Sequence, residues 1–445
     1  MRVLLVCEVF LPKIDGVVIR TLNLIRELQA CGDEVEVVCP QVPQQRDSPV
    51  KLHEFPSFPF KMYPEYHIGK PTDKLQQAIK DFQPDVVHFI NPFAFGFACY
   101  DHLAKANVAV PVMFSFHTLY AEFVKRYGVL KPLSNLLWNV TRDYHNRADI
   151  NLTVSQVTCD ELSENRFERM RVWQPAINAE LFRSARTSPE MRQRLQGPHQ
   201  AGRLLLTVSR LAPEKNVELL TKVLPLIPDA SLAIVGDGPQ RGALEKQFAD
   251  LPVNFVGYLK GEELSEGYAS ADAFVYASET ETMGNVVLEA MASGIPVIAP
   301  RAGGIPSLVE HEKAGLLFDP GDAEGCAALV NRVFAEPELS GVIQNGARSF
   351  AEQHTWSAAA ARVRTDYAAA KERFEANGSQ TLKKATWSSR ATVKALVAAF
   401  RMVSKSPKSD SPADRSVDNS EITAESSDSV SDMSQLADES LASVQ

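Results

Sequence analysis

Short runs of β-branched and aliphatic residues alternate along this chain with segments whose apolar positions recur every three to four residues. Val3 to Cys7 reads as a buried strand, and a loop carrying Pro12 and Gly16 follows it. Ile19, Leu22, Ile25 and Leu28 then trace one face of a helix that stops at Gly32. Glu34 to Cys39 is the next strand. A strand, loop, helix, strand series opens a parallel sheet with helices on both faces. Val86 to Ile90 and Val112 to Phe116 are expected as later strands of that sheet, ending in Asn91-Pro92 and His117-Thr118. After Pro198 the alternation restarts. Strands are expected at Leu204 to Ser209, Leu232 to Val235, Val253 to Val256, Ala273 to Tyr276 and Val297 to Ala299, with helices such as Val217 to Leu226 and Gly284 to Ser293 between them. The pattern predicts two successive doubly wound α/β domains, whose ligand crevices lie beyond the carboxyl ends of the strands.

The 445 residues carry 46 Lys plus Arg against 55 Asp plus Glu, a net charge of -9. That length allows two or three domains, and the acidic balance argues against a nucleic-acid binder. Cys7, Cys31, Cys39, Cys99, Cys159 and Cys326 show neither CxxC spacing nor His pairing, so no zinc site or disulfide framework is expected and a reducing, cytoplasmic compartment is. The apolar segment Val3 to Val6 is too short for a secretory leader, and no run of apolar residues is long enough to cross a bilayer.

Charge is unevenly spread. Lys383, Lys384, Arg390, Lys394, Arg401, Lys405 and Lys408 fall in a stretch without an acid, whereas residues 409–445 hold nine acids and one cation, Arg415. The acidic tail is expected to be disordered. From Leu382 to Lys405 a helix would align Leu382, Val393, Leu396, Val397, Phe400 and Val403 in one stripe and Arg390, Lys394, Arg401 and Lys405 in another. That pattern predicts a helix lying on an anionic membrane, and a helix packed on the protein or a basic linker is the alternative.

The strongest local signal is Ser278 to Pro300, SETETMGNVVLEAMASGIPVIAP. Glu281 lies in the loop after a strand, and Glu289 about a turn and a half into the next helix. The amides from Gly284 onward form a helix N-terminus suited to a phosphate; one carboxylate could accept hydrogen bonds from a ribose diol and the other from sugar hydroxyls. Two surface acids on an amphipathic helix would look alike. In VSRLAPEKN, Arg210 and Lys215 follow a strand and could clamp a diphosphate without metal, or be solvated loop charges. The Gly16 loop offers a small backbone before a helix. GDGPQRG, Gly236 to Gly242, matches a dinucleotide fingerprint poorly and reads as a helix start. His117 ends a strand at the expected crevice, and His88 reads as a packing or hydrogen-bonding residue. No acid pair suggests a metal site.

Together VFLPKIDG at the first loop, PDVVHFINP, FHT, VSRLAPEKN, IVGDGP, VGYL, the ETETMGNVVLEAMASG block and RAGGIPSLV resemble the retaining glycosyltransferases of the GT-B fold, family four, over about residues 1 to 375. Within that family the SETET run, FHT with Arg126-Tyr127, and RVWQ at Arg171 to Gln174 are most similar to sulfoquinovosyltransferases, which glycosylate diacylglycerol to make sulfolipid.

The resemblance implies a GT-B fold, two doubly wound Rossmann-like domains facing each other across a cleft. It divides the chain into an acceptor domain at 1–182, a nucleotide-sugar domain at 183–353, a helix at 354–375 returning to the N-terminal domain, a basic helix at 381–408 and the tail at 409–445. The implied reaction moves a sugar from a nucleoside diphosphate sugar, UDP-sulfoquinovose, to diacylglycerol with retention, without cofactor or metal, at a membrane surface. Arg210 and Lys215 would meet the diphosphate and Glu289 the ribose. Glu281, Thr282, Met283, Gly284 and Asn285 would meet the donor, and His117 with the Gly16 loop the reacting centre. Lys13, Arg20 and Arg126 are the candidate sulfonate or acceptor contacts. A mannosyl- or glucosyltransferase acting on another lipid or polysaccharide is the nearest rival. A sugar-nucleotide epimerase, which needs no acceptor, is more remote, as is a non-enzymatic nucleotide-binding module.

Overall fold

The computed structural model describes residues 1–13, 15–44, 47–60, 63–118 and 134–405. The chain divides into two compact units. The first comprises Met1–Leu152, Arg166–Arg171 and the chain from Arg364; the second comprises Thr153–Asn165 and Val172–Val363. The change of unit at Leu152 comes earlier than the expected boundary at 182, and Arg166–Arg171 return to the first unit beside its last strands. The tail at 409–445 lies outside the described residues.

The first unit is built on a seven-stranded sheet in the order β3-β2-β1-β6-β7-β8-β9. Its strands are β1 (Arg2–Cys7), β2 (Glu34–Pro40), β3 (Lys51–Phe55), β6 (Val86–Ile90), β7 (Val112–Ser115), β8 (Ile150–Thr153) and β9 (Met170–Val172); β4 (Ser57–Phe60) and β5 (Tyr63–Gly69) form a separate antiparallel pair. Val3 through Cys7 have no exposed surface, as expected of a central parallel strand covered on both faces. Helix α1 (Gly16–Ala30) follows β1 and buries Val18, Leu24, Ile25 and Leu28. Helices α2 (Ala94–Lys105) and α3 (Ser134–His145) bring Phe97 and Tyr144 into a stacked pair, ring centroids 4.3 Å apart. Strand order reverses between β1 and β6, so the loops leaving β1, β6 and β7 converge at the carboxyl edge.

The second unit repeats the plan with a six-stranded sheet in the order β12-β11-β10-β13-β14-β15. These strands are β10 (Arg203–Val208), β11 (Ala230–Val235), β12 (Val253–Gly257), β13 (Ala273–Val275), β14 (Val297–Pro300) and β15 (Leu316–Phe318). Here the order reverses between β10 and β13, and the loops after these strands carry Arg210, Lys215 and Glu281. Helices α4 (Gly261–Ala269) and α5 (Asn285–Ala292) flank that edge. Val217 to Leu226 is broken into two 3-10 turns around a single α-turn, since Pro225 has no N–H to continue a helix.

The chain re-enters the first unit within α6 (Trp356–Ala376). Arg364 there pairs with buried Asp33 at 2.6 Å, Lys371 with Asp85 at 2.9 Å and Asp366 with Arg171 at 2.6 Å, while Tyr367 bonds His88 Nδ1 at 2.9 Å.

The last described helix, α7 (Trp387–Lys405), bears on the expectation for Leu382 to Lys405 at its first two turns. Residues before Trp387 are pinned on the first unit. The Leu382 amide donates to Val108 O at 2.8 Å, Tyr100 to Lys383 O at 3.0 Å, and Thr386 N to Asp143 at 2.8 Å. Val393 is 5% exposed and joins the core that holds Tyr100, Leu103, Val140 and Tyr144. The stripe expected to face lipid therefore covers, at Val393, an apolar seam where α7 packs on α2 and α3. No helix among the described residues is long and apolar enough to cross a membrane.

Candidate functional site

In the second unit the loops after β10 and β13 are laced together. Thr280 Oγ1 donates to Glu214 O at 3.2 Å, Ser278 Oγ lies at the same distance from that oxygen, and Lys215 reaches across to Glu281. Glu281 Oε1 accepts from Lys215 Nζ, from Tyr276 OH at 2.7 Å and from Ser278 Oγ at 3.0 Å. Burial pushes the Glu281 carboxyl up, but Lys215, Tyr276 and Ser278 together outweigh it and hold the group below the usual carboxylate range. Oε2 accepts nothing among the described residues and is not sealed from solvent. One oxygen is fixed and the other is offered.

Glu289 on α5 repeats this arrangement. Its Oε2 accepts from Tyr268 OH on α4 at 2.8 Å, and Oε1 takes no hydrogen bond among the described residues. With a single donor opposing burial, its pKa is pushed up to about 7. The two tyrosines belong to one aromatic row: Tyr268 tilts against Phe274 at 5.6 Å, and Phe274 stacks on Tyr276 at 5.8 Å. The sequence reading found both carboxylates and missed Tyr268, Tyr276 and Ser278. Ser278 and Tyr276 were legible as polar groups three and five residues before Glu281, whereas Tyr268 meets Glu289 only through the fold.

Between the two carboxylates lies the N-terminus of α5. Gly284 adopts φ +83°, the left-handed region, and a Cβ there would come within 2.8 Å of Ile305 Cδ1. No side chain caps this helix, unlike α1, so its first amides are presented at the carboxyl edge. Thr282, Met283 and Asn285 flank Gly284 along the chain, with Met283 buried. The backbone of this loop rests on Gly303 and Gly304. The Gly304 amide donates to Glu281 O at 2.7 Å, and a Cβ on Gly303 would stand 2.3 Å from that oxygen. RAGG thus shapes the Glu281 loop, a role not assigned from the sequence.

Arg210 pairs with Glu214, one turn along its own loop, and its side chain is 44% exposed. Both cations expected to clamp a diphosphate are therefore held by carboxylates, and an incoming diphosphate would exchange partners with them. Gly236 and Gly238 pack directly on the Ser209 and Leu211 carbonyls, 2.0 and 2.4 Å from an added Cβ, in keeping with a structural role for GDGP.

In the first unit, Asp15 caps α1 by accepting from Val17 N and Val18 N, each at 3.0 Å. The Gly16 loop thus already has its helix terminus occupied by a carboxylate. Glu8, after β1, does the same for α2, accepting from Phe93, Phe95 and Gly96 amides at 3.0, 2.9 and 2.8 Å. His117 is 8% exposed; its amide donates to Asn91 Oδ1 and its Nε2 lies 3.1 Å from Ser115 Oγ. Burial, with Arg20 and His88 adding to it, pushes the imidazole well below its usual range, so His117 is neutral. Arg20 is 1% exposed, and burial pushes its guanidinium pKa down to about 9. Lys13 stands 3.3 Å from the centroid of the Tyr66 ring and 3.8 Å from Asp15. Arg126 lies outside the described residues.

Comparison with known proteins agrees with this geometry. Residues 190–350 match the family model for glycosyl transferases group 1, and residues 14–181 the model for glycosyltransferase family 4. The chain is 36% identical to sulfoquinovosyl transferase SQD2 of Arabidopsis thaliana, over 80% of this chain and 71% of that protein. It is 37% identical to a GDP-mannose-dependent alpha-mannosyltransferase of Mycolicibacterium smegmatis, over 80% of this chain and 94% of the relative. In fold it is similar to Anabaena Alr3699/HepE, with a TM-score of 0.66 at 19% identity, covering 83% of this chain and all of that one. The two doubly wound sheets, the two tethered carboxylates and these matches lead to one conclusion: this chain is a glycosyltransferase of the GT-B fold and belongs to family four.

Proposed function

We propose that this glycosyltransferase moves a hexosyl unit from a nucleoside diphosphate sugar to diacylglycerol with retention, and that the donor is UDP-sulfoquinovose. The observation that carries the reading is the pair Glu281 and Glu289, each with one oxygen tied to a tyrosine and the other available, on either side of the uncapped start of α5. Glu289 Oε1 suits a ribose diol and Glu281 Oε2 a sugar hydroxyl. The diphosphate belongs at the α5 amides, where Lys215 and Arg210 can leave their carboxylates for a doubly charged partner. As the bond from the anomeric carbon to the phosphate breaks and the acceptor oxygen bonds that carbon, charge gathers on the leaving phosphate oxygen; the fixed α5 amides stabilise it without reorganising, and the two cations add to them once the diphosphate has drawn them over. That oxygen then takes the acceptor proton on the face it leaves, which gives retention without a metal. In the first unit, neutral His117 is assigned to the acceptor chemistry.

The identity to SQD2 supports the sulfonated donor. The mannosyltransferase match, at 37% against 36% identity and wider in coverage of the relative, favours GDP-mannose as the second reading. Melting curves of the purified chain with UDP-sulfoquinovose, UDP-glucose and GDP-mannose separate these readings, because a ligand of the folded state raises Tm in proportion to its affinity. Product formation from diacylglycerol in the presence of EDTA then tests acceptor and metal independence together. Glu281→Ala and Lys215→Ala should each lower transfer by about 100-fold or more. Near-normal turnover in either variant overturns the assigned donor site.

A further inference from the structure

Trp387, the first residue of α7, is 78% exposed, the most exposed large apolar side chain among the described residues. It lies off the apolar stripe that carries Val393. Val393 is spent on the first unit's core, whereas Trp387, Ala391 and Lys394, spaced one and two turns apart, share the outward face. Arg390 on α7 and Lys105 at the end of α2 line the same hollow as Trp387 and Lys394. Lys383 and Lys384 are exposed just before the helix. No acid occurs between 381 and 408, and the nearby Asp143 is turned inward, held by Thr386 and Arg147. Asp101, which also lies near these cations, is buried and accepts from Tyr144.

We infer that this face, Trp387 ringed by Lys105, Arg390, Lys394, Lys383 and Lys384, is a docking surface for an anionic lipid bilayer. An indole is at home at headgroup depth, where its ring meets acyl carbon and its N–H meets water. Cations around it pair with lipid phosphates, and their sum decides whether a single inserted ring holds. Because Val393 and Leu382 pack on the first unit's core, α7 is anchored there, and the exposed indole is the side chain that reaches the bilayer. The inference rests on the reading that the acceptor is a membrane lipid, and it places the contact on the first unit.

Its test is made on the full chain, with vesicles of phosphatidylcholine with or without phosphatidylglycerol and no sugar substrate. The chain should sediment with the anionic vesicles, and the binding should weaken as salt is raised. Lys105→Glu with Lys394→Glu should weaken binding by about tenfold or more. Brominated acyl chains should quench a component of the tryptophan emission that is absent in Trp387→Phe. Both variants alter exposed side chains, and an unchanged rise in Tm with sugar nucleotide confirms that they are folded. No binding to the anionic vesicles, binding that survives the double charge reversal, or quenching that persists in Trp387→Phe each overturns the inference. Failure of diacylglycerol as acceptor would sink the proposed reaction while leaving vesicle binding to be read on its own.

Discussion

A carboxylate that holds a sugar hydroxyl needs one oxygen to anchor and one to offer, and at Glu281 the anchoring is done by Lys215, Tyr276 and Ser278. Of these, Tyr276 is held by its stacking on Phe274, so Tyr276→Phe keeps the ring and loses only the hydroxyl. A hydrogen bond to a charged group contributes about 1.5–3 kcal/mol, and kcat in this variant should fall about tenfold or more with little change in Tm. Equal kcat in the two proteins would show that Lys215 and Ser278 suffice. Glu289 has a different fate because only Tyr268 opposes its burial. With its pKa raised from the ordinary 4.5 to about 7, the folded chain binds a proton that the unfolded chain releases across that window. Stability from this group is therefore present below about pH 4.5 and lost as pH rises through about 7, relative to Glu289→Gln. Donor binding has the opposite sign, since the ionised form accepts the ribose diol. Sugar-nucleotide affinity should rise from pH 6 to pH 8 in the wild type and stay flat in Glu289→Gln, as calorimetric titration would show. The seven-residue gap between the two glutamates made them legible in the sequence. Their tyrosines were not, because a side chain's partner across two helices leaves no local spacing to read.

At the scale of elements, continuous apolar runs such as Val3 to Cys7, Val86 to Ile90 and Ala273 to Tyr276 were legible as strands, since central parallel strands are buried on both faces. The edge strand Lys51–Phe55 and the pair Ser57–Phe60 and Tyr63–Gly69 were not, since their polar residues and Pro59 dilute the pattern that burial imposes. Helix α7 was legible as a helix but not in its packing. An apolar stripe beside a cationic one suits a bilayer and a protein seam equally well, and only the fold shows that Val393 enters the seam between α2 and α3. Ending the chain after Ala376 strips the cover from Tyr100, Val140 and Tyr144 and removes the bonds made by Leu382, Lys383 and Thr386. Burial of Val393 alone is worth about 1.5–3 kcal/mol. The truncated chain should melt about 5 °C lower or more, with the sugar-nucleotide shift of the second unit retained; an unchanged Tm would mean that α7 is not part of the core.

For the whole molecule, the restart of the strand-helix alternation after Pro198 made two doubly wound sheets legible, but not the dissection of the first unit into pieces distant in sequence. Nothing local at Arg364 or Tyr367 announces that their partners are Asp33 and His88. The first 152 residues expressed alone should remain protease-sensitive, because α6 and α7 are missing, and protection of that fragment equal to the full chain would refute their structural role. The same dissection dictates an order of events on the ribosome. The amino-terminal sheet emerges first, yet its closing helices are translated some two hundred residues later, a delay of about 10 to 40 s at ordinary elongation rates. In that interval the second unit can complete itself while the half-built first one presents its uncovered aromatic seam to chaperones, so the unit that is started earlier is the one closed later.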